Sequence, residues 1–163
     1  ALPVTTWRPL ATRPAGALAP AALDTLGHLA ETILPATDTP GALAAGVHFY
    51  LDDACTVDTT LKAALEAGLA ALDARSLSLR GAAFARLDPP AREQVLAVVM
   101  DGTPEERRFF TLVRARVVDA YYKSEIGLLG ELQWVGHEFH DRFPGACTHA
   151  DPLVHPRPSW PRV

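Results

Sequence analysis

The sequence predicts an all-α fold, a small irregular helical bundle with an extended arm at each end. Apolar residues make up 48% of the 163-residue chain. They are rich in alanine and leucine, which favour helix over strand. Leucines recur at spacings of three and four residues, as they do on the buried face of a helix. Prolines and glycines separate these periodic stretches, and most of the 14 prolines lie towards the two ends.

The proline distribution divides the chain into three predicted regions: an N-terminal arm (1–20), a helical domain (21–130) and an irregular C-terminal arm (131–163). Proline removes a backbone donor and fixes φ, so the first arm is expected to be extended. The second arm has no periodicity, yet it contains Trp134 and Trp160 among other aromatic residues. Because disordered tails are usually poor in aromatic residues, we expect this arm to be ordered by contact with another surface.

The first two helices are predicted on either side of a polar turn. The first starts near residue 20, carries leucines at helical spacing and ends at Pro35. Residues 36–41 combine threonine, aspartate, proline and glycine, which is typical of a tight turn. A short second helix supplies the apolar residues of 47–51, and Gly46 within it weakens its continuity.

Capping residues indicate where the next two helices begin. Thr59 or Thr60 is predicted to cap a third helix whose leucines lie on one stripe. A shorter helical piece is expected around 81–87. Asp88 then caps a fourth helix that starts with proline and ends at Gly102, since glycine commonly ends helices.

The fifth helix has the clearest start in the chain. Thr103 and Glu106 form the pattern of a capping box, with Pro104 at the first helical position. Apolar residues follow on almost every face up to the paired tyrosines. Such a helix is expected at the centre of its bundle, or between the bundle and a partner. Gly127 and Gly130 are predicted to break it.

Composition excludes two classes of partner. The formal net charge is −4, and Lys62 and Lys123 are the only lysines. A nucleic-acid-binding protein usually carries a basic footprint, and this sequence has no Lys/Arg block that would form one. No apolar run reaches the roughly 18 residues that a membrane span requires. We therefore expect no nucleic-acid partner and no direct membrane span.

The sequence motifs that could indicate a catalytic or cofactor-binding site are weak. The sequence contains neither of the glycine-rich phosphate-binding patterns nor a nucleophile elbow. His137 and His140 lie three residues apart in a predicted loop, whereas a zinc-protease helix places its histidines four apart. Tyr122, Lys123 and Glu125 cluster at a helix end without the βαβ pattern of a dinucleotide fold. A stand-alone enzyme built on either cluster remains an alternative function.

The two cysteines, Cys55 and Cys147, have no metal-binding spacing. A buried thiol or a disulfide is more common for such residues than a catalytic nucleophile. They could pair with each other or with a partner chain, and Cys147 is well placed for an inter-chain bridge. The start at Ala1 is compatible with a mature chain trimmed after a small residue, or with a boundary chosen for other reasons.

Two segments resemble signatures of one protein family. Residues 33–42, Ile-Leu-Pro-Ala-Thr-Asp-Thr-Pro-Gly-Ala, are followed by Ala-Gly-Val at 45–47. Residues 121–127, Tyr-Tyr-Lys-Ser-Glu-Ile-Gly, come later, and then Trp134 and a Pro-Gly-Ala-Cys stretch that ends at Cys147. In this order the segments resemble the gluconate 2-dehydrogenase subunit 3 family over roughly residues 22–147.

This resemblance implies an accessory subunit rather than an enzyme. Family members are small helical subunits of bacterial periplasmic dehydrogenases that oxidise sugars, polyols or sugar acids. The large subunit resembles glucose-methanol-choline oxidoreductases and holds FAD, and a c-type cytochrome subunit often accompanies it. The small subunit is expected to hold no cofactor, no metal and no catalytic residue. It commonly carries a twin-arginine export signal, which implies a periplasmic location and a role in the maturation and export of its partner.

Residues of the two signatures, together with Trp134, Cys147 and Trp160, are candidates for contact with the partner. The turn at 37–41 is interpreted as a structural joint, with Asp38 capping the helix that follows. Tyrosines at a helix end are typical interface anchors. A free periplasmic chaperone or binding domain is the remaining alternative. The predicted partner-interface residues are Thr37, Asp38, Thr39, Pro40, Gly41, Tyr121, Tyr122, Ser124, Glu125, Gly127, Trp134, Cys147 and Trp160.

Overall fold

The computed structural model describes residues 16–134, and these form an all-helical bundle, as predicted. Within this range there is no β-strand. A 3₁₀ turn (Phe84–Arg86) precedes α4, and a π-helical turn (Ile126–Glu131) follows α5. Most of each predicted arm (1–15 and 135–163) lies outside the described residues. The α-helices are α1 (Pro20–Ile33), α2 (Val47–Val57), α3 (Thr59–Arg80), α4 (Pro89–Met100) and α5 (Pro104–Lys123).

One apolar core holds the five helices together. The predicted leucine stripes of α1 and α3 are buried in it, and Phe84 of the 3₁₀ turn is fully enclosed between them. Each fully buried leucine or valine stabilises the fold by about 1.5–3 kcal/mol relative to exposure. The largest fully buried side chains in the core are Phe84, Leu26, Leu29, Leu51, Leu65, Leu69 and Leu72.

Helix starts follow local capping rules. Asp88 caps α4 by accepting a hydrogen bond from the Ala91 N–H, and Thr103 caps α5 in a complete capping box with Glu106. These two predictions are confirmed. The predicted cap of α3 is wrong by one residue or two: Asp58, rather than Thr59 or Thr60, accepts the bond from Leu61. A carboxylate is an equally good acceptor, and Asp58 is the residue with extended backbone.

The start of α2 differs from the prediction. Gly46 lies at its N-cap rather than inside it, with φ of 70°, a left-handed conformation that glycine adopts at little cost. No side chain caps this helix. The predicted capping role of Asp38 is therefore wrong, because a turn of residues 42–46 separates Asp38 from α2. The Asp38 carboxylate instead accepts a hydrogen bond from the Thr37 hydroxyl at 2.9 Å.

The surroundings of α5 correct a second prediction. This helix contacts α1, α2, α3 and α4, so it is central in the bundle, as expected. It is not apolar on almost every face, because only one stripe of Val113, Val117, Ala120 and Tyr121 is buried. The opposite side is polar and exposed to solvent.

The end of α5 also lies earlier than predicted. The helix stops at Lys123, and Ser124 follows with extended backbone (φ −75°, ψ 160°). Gly127 and Gly130, which were expected to break it, lie within the π-helical turn instead. The Ser124 hydroxyl donates to the carbonyl of Tyr121 at 2.6 Å and accepts from the Gly127 N–H at 3.1 Å. This local competition with helical hydrogen bonds explains why a serine ends the helix.

Candidate functional site

The two sequence signatures meet at one end of the bundle. The first lies mostly in the loop 34–46 between α1 and α2, and the second lies within the segment 121–131, which is the end of α5 and the π-helical turn. We refer to these two segments together as the joint. Helix α5 brings them together, since it packs against both α2 and the π-helical turn.

Tyr121 is the central residue of the joint. Its side chain is only 4% exposed, and its hydroxyl donates to the carbonyl of Pro40 at 2.9 Å, across 81 residues of sequence. The Thr39 hydroxyl lies 3.5 Å from the Tyr121 hydroxyl oxygen and donates to the Glu131 carboxylate at 2.6 Å. Pro40 therefore contributes its backbone carbonyl, and Tyr121 anchors the loop to the helix end.

Glu31 organises the loop from the other side. Its carboxylate accepts hydrogen bonds from the backbone N–H groups of Ala36 at 3.1 Å and Leu43 at 2.8 Å. Gly41 lies between them, and a Cβ at this position would approach the Glu31 carboxylate to 2.4 Å and the Ala36 nitrogen to 2.6 Å. Glycine is therefore required here because the carboxylate and the loop backbone pass so close.

Gly127 has an equally strict steric role at the end of α5. A Cβ on this residue would lie 2.1 Å from the carbonyl oxygen of Tyr121 and 3.0 Å from the Cα of Tyr122. Both contacts are with backbone, which cannot move aside cheaply. The glycine lets the π-helical turn fold back onto the helix end, and this places Glu131 beside Thr39.

The predicted interface residues fall into three groups. Gly41, Tyr121 and Gly127 are buried within the joint, and Thr39, Tyr122 and Ser124 are half-buried. Cys147 and Trp160 lie outside the described residues, so their predicted roles stay predictions. The solvent-exposed candidates are Thr37, Asp38, Pro40, Glu125 and Trp134. The exposed group is the part of the site that could touch a partner directly.

Sequence reasoning missed two residues that hold the joint together, Glu31 of α1 and Glu131. Glu31 carried one available signal, since an acidic residue near the last turn of a helix opposes the helix dipole and usually has another partner. Glu131 carried none, because its bond to Thr39 joins positions 92 residues apart.

The tyrosine–lysine cluster does not converge into a catalytic site. The Lys123 ammonium donates to Asp119 at 2.7 Å, and this hydrogen bond raises the pKa of the lysine, so it stays protonated. Tyr122 packs edge-on against Tyr121, with ring centroids 5.3 Å apart and planes at 86°. Glu125 is exposed. The three side chains therefore do not surround a common point where a reacting atom could lie.

The other potentially reactive side chains among the described residues do not form a catalytic or metal-binding arrangement either. Cys55 is a free thiol, 2% exposed, and burial, with Asp52 nearby, raises its pKa, which disfavours the reactive thiolate. Among residues 16–134, no three histidine, cysteine or carboxylate side chains are grouped to hold a metal. His137 and His140 lie outside this range.

An apolar groove of about 490 Å³ runs between α3 and α5. Small residues such as Ala64 and Ala67 line one side, and Phe109 and Leu112 line the other. One of the two carboxylates that line the groove, Glu106, is held by Arg75. The groove offers shape without a set of converging polar groups, which a catalytic pocket requires.

A family profile described as gluconate 2-dehydrogenase subunit 3 matches residues 20–140, which is most of the chain and includes the whole joint. The chain belongs to the gluconate 2-dehydrogenase subunit 3 family. No curated protein matches it significantly, and no solved structure does. The family describes a subunit of a dehydrogenase complex, so the polypeptide is one component of an assembly. Within residues 16–134 no helix combines the length and the apolarity that crossing a membrane demands.

Proposed function

We propose that this gluconate 2-dehydrogenase subunit 3 protein is the non-catalytic small subunit of a periplasmic dehydrogenase. Its large subunit holds FAD, is of the glucose-methanol-choline type and oxidises a sugar, polyol or sugar acid. The small subunit stabilises the flavoprotein and assists its export, and in some complexes a c-type cytochrome is a further subunit. This chain holds no cofactor itself.

The observation that carries the proposal is the fringe of exposed apolar side chains around the joint. Leu43 (39% exposed) lies in the loop, and Leu129 (42%) and Leu132 (56%) lie in or next to the π-helical turn. Tyr50 (43%) lies on α2, which packs against α5. Large apolar side chains grouped on a surface and bordered by polar residues are typical of protein interfaces.

The internal hydrogen bonds of the joint support the same interpretation. Tyr121, Ser124 and Glu31 use their polar atoms within the chain, so they hold the surface in a fixed shape. A surface that is rigid before binding loses less conformational entropy on association. Asp38 and Glu125 then lie at the exposed rim, where charges contribute to specificity more than to affinity.

Co-purification from the native host tests the proposal. The chain is tagged and purified gently, and its protein bands and visible spectrum are recorded. A larger chain that co-elutes with flavin absorbance is the expected result, and sugars, polyols and sugar acids are then screened as substrates. A lone, colourless and well-folded chain would overturn the proposal.

A matched pair of variants tests the position of the interface. Leu129→Asp combined with Leu132→Asp places charges in the fringe, and it should abolish co-purification of the large subunit. Leu77→Asp combined with Val98→Asp changes two equally exposed apolar residues, at 53% and 43%, on α3 and α4. This control should co-purify normally, and equal losses in both variants would contradict the assignment of the interface to the joint.

A further inference from the structure

The outer face of α5 carries a concentration of positive charge. The helix contains five cations and three carboxylates, whereas the whole chain has 15 cations and 19 carboxylates. The rest of the chain is therefore left with 10 cations and 16 carboxylates. All five cations of α5 are exposed: Arg107 and Arg114 lie along one edge of this outer face, Arg116 and Lys123 lie along the other, and Arg108 lies between them.

Part of this charge is neutralised within α5, since the exposed Glu105 carboxylate lies 3.8 Å from the Arg108 guanidinium. Glu106 faces α3 and forms an ion pair with Arg75 at 2.8 Å, so it does not balance the outer arginines. Asp119 is engaged by Lys123 at 2.7 Å. Among the described residues, Arg114 and Arg116 form no ion pair.

Two of the arginines also line a shaped surface. Arg107 and Arg108 line a shallow depression together with Pro104, Thr111 and Leu112. Arg107 is held in place because its guanidinium donates to the Gly102 carbonyl at 2.7 Å. Arginine, unlike lysine, presents a planar fork of donors that binds a carboxylate through two parallel hydrogen bonds. Four of the five cations on this face are arginines.

We propose that the outer face of α5 is a second contact surface of the same complex, and that it binds an acidic surface of the large subunit. This inference rests on the proposed function. One edge of this face leads directly to the joint, since Arg116 and Lys123 lie two helical turns apart along it and Lys123 immediately precedes Ser124. Helix α5 has 20 residues, so the extended interface would run about 30 Å along the bundle.

A lipid surface fits this face less well than an acidic protein does. A helix that lies on a membrane inserts an apolar face of its own between the headgroups. The apolar stripe of α5, which includes Val113 and Val117, is buried in the core. Among residues 16–134, none of the large apolar side chains that are exposed belongs to α5. The helix therefore offers charge and hydrogen-bond donors to a partner, but nothing to insert.

The experiment measures dissociation of the purified complex at several salt concentrations. The test variant is Arg114→Glu with Arg116→Glu. The matched control is Lys62→Glu with Arg86→Glu, which changes the net charge equally on α3 and the 3₁₀ turn. We expect the dissociation constant of the test variant to rise on the order of tenfold at low salt and to converge on the unmodified value at high salt. The control should stay near the unmodified value throughout.

Further measurements make the outcome unambiguous. Thermal unfolding of each isolated variant establishes that it is folded, and Arg114→Gln with Arg116→Gln should show a smaller effect in the same direction. Equal dissociation constants for test and control variants would overturn the inference while leaving the proposed function intact. The unmodified chain and the test variant are also mixed with phosphatidylserine vesicles. If the unmodified chain binds the vesicles and the test variant does not, the face binds lipid, and the inference is overturned. If the unmodified chain forms no complex, the proposed function fails together with the inference.

Discussion

The two ends of α5 are held by different kinds of interaction. At the N-terminal end, Thr103 and Glu106 satisfy the first backbone N–H groups within four residues of sequence. At the C-terminal end, Tyr121 and Ser124 hold a loop and a π-helical turn, and the main contact crosses 81 residues to Pro40. The capping box depends on that local sequence alone, and Arg75 of α3 adds one contact to Glu106. The C-terminal arrangement exists only once the bundle has assembled, and this is the end that we assign to the interface.

Among the variants considered, Gly127→Ala should lower the free energy of unfolding most, and it acts at the C-terminal end of α5. Its Cβ would lie 2.1 Å from the Tyr121 carbonyl oxygen, so the π-helical turn must move away from the helix end. Overpacking of this kind costs about 2–3 kcal/mol. Urea unfolding measures the loss, and co-purification should fall with it.

Gly130→Ala is the matched control, because it lies in the same turn and its Cβ would meet nothing within 4 Å. Replacing an unstrained glycine with alanine should change stability by less than about 1 kcal/mol, with a small gain expected. Equal losses in the two variants would show that the turn itself, rather than its close approach to Tyr121, limits stability.

Tyr121→Phe should have the next largest effect. It removes the hydrogen bond to the Pro40 carbonyl at 2.9 Å while leaving the buried ring. Losing such a bond and leaving its acceptor unsatisfied costs about 1–1.5 kcal/mol. Chemical denaturation measures this cost, and Tyr122→Phe, which forms no such bond among the described residues, should be nearly neutral.

Glu106→Gln tests how the stability contributed by the N-terminal end of α5 depends on pH. The Arg75 guanidinium, followed by the Thr103 backbone N–H, lowers the pKa of Glu106 to about 2. A carboxyl whose pKa is lowered in the folded state stabilises the protein above its unfolded pKa of 4.5, and this contribution is lost as pH falls towards 2. Because the Arg75 side chain is 34% exposed, screening by solvent limits the effect to about 1 kcal/mol near neutral pH.

Thermal unfolding between pH 7 and pH 2 checks this prediction. The unmodified protein should be more stable than the Gln variant near neutral pH, and the two curves should approach each other below pH 4.5. A constant difference across this range would mean that Glu106 acts through packing rather than through its charge.

Thr39→Val should have the smallest effect. It removes the bond to Glu131 at 2.6 Å, which lies at the exposed edge of the joint. Solvent replaces an exposed hydrogen bond easily, so the loss should be about 0.5 kcal/mol. Stability measured by urea unfolding should therefore change less than in Tyr121→Phe. A larger loss than in Tyr121→Phe would mean that Thr39, rather than Tyr121, contributes most to the stability of the joint.

Much of the bundle could be predicted from the sequence because its signals are local. The leucine stripes of α1 and α3 and the caps Asp88 and Thr103 depend on spacings of three or four residues, and the structure confirms them. Where two adjacent polar residues could each cap a helix, as at Asp58 and Thr59, the local pattern does not decide between them, and the predicted cap residue was wrong.

The family could also be predicted from the sequence, because both signatures are continuous segments, and the family match over residues 20–140 confirms it. The role of each signature residue could not be predicted in the same way. The sequence suggested that Asp38 caps a helix, whereas the bundle leaves it exposed beside a turn.

Only the tertiary structure decided how the joint is built. Tyr121 meets Pro40, and Glu131 meets Thr39, because the packing of α5 against α1 and α2 brings these segments together. The same packing sets which side of α5 faces the core and which side presents its arginines to solvent. Sequence periodicity selects helices, but contacts between residues more than 80 positions apart depend on how those helices pack against one another.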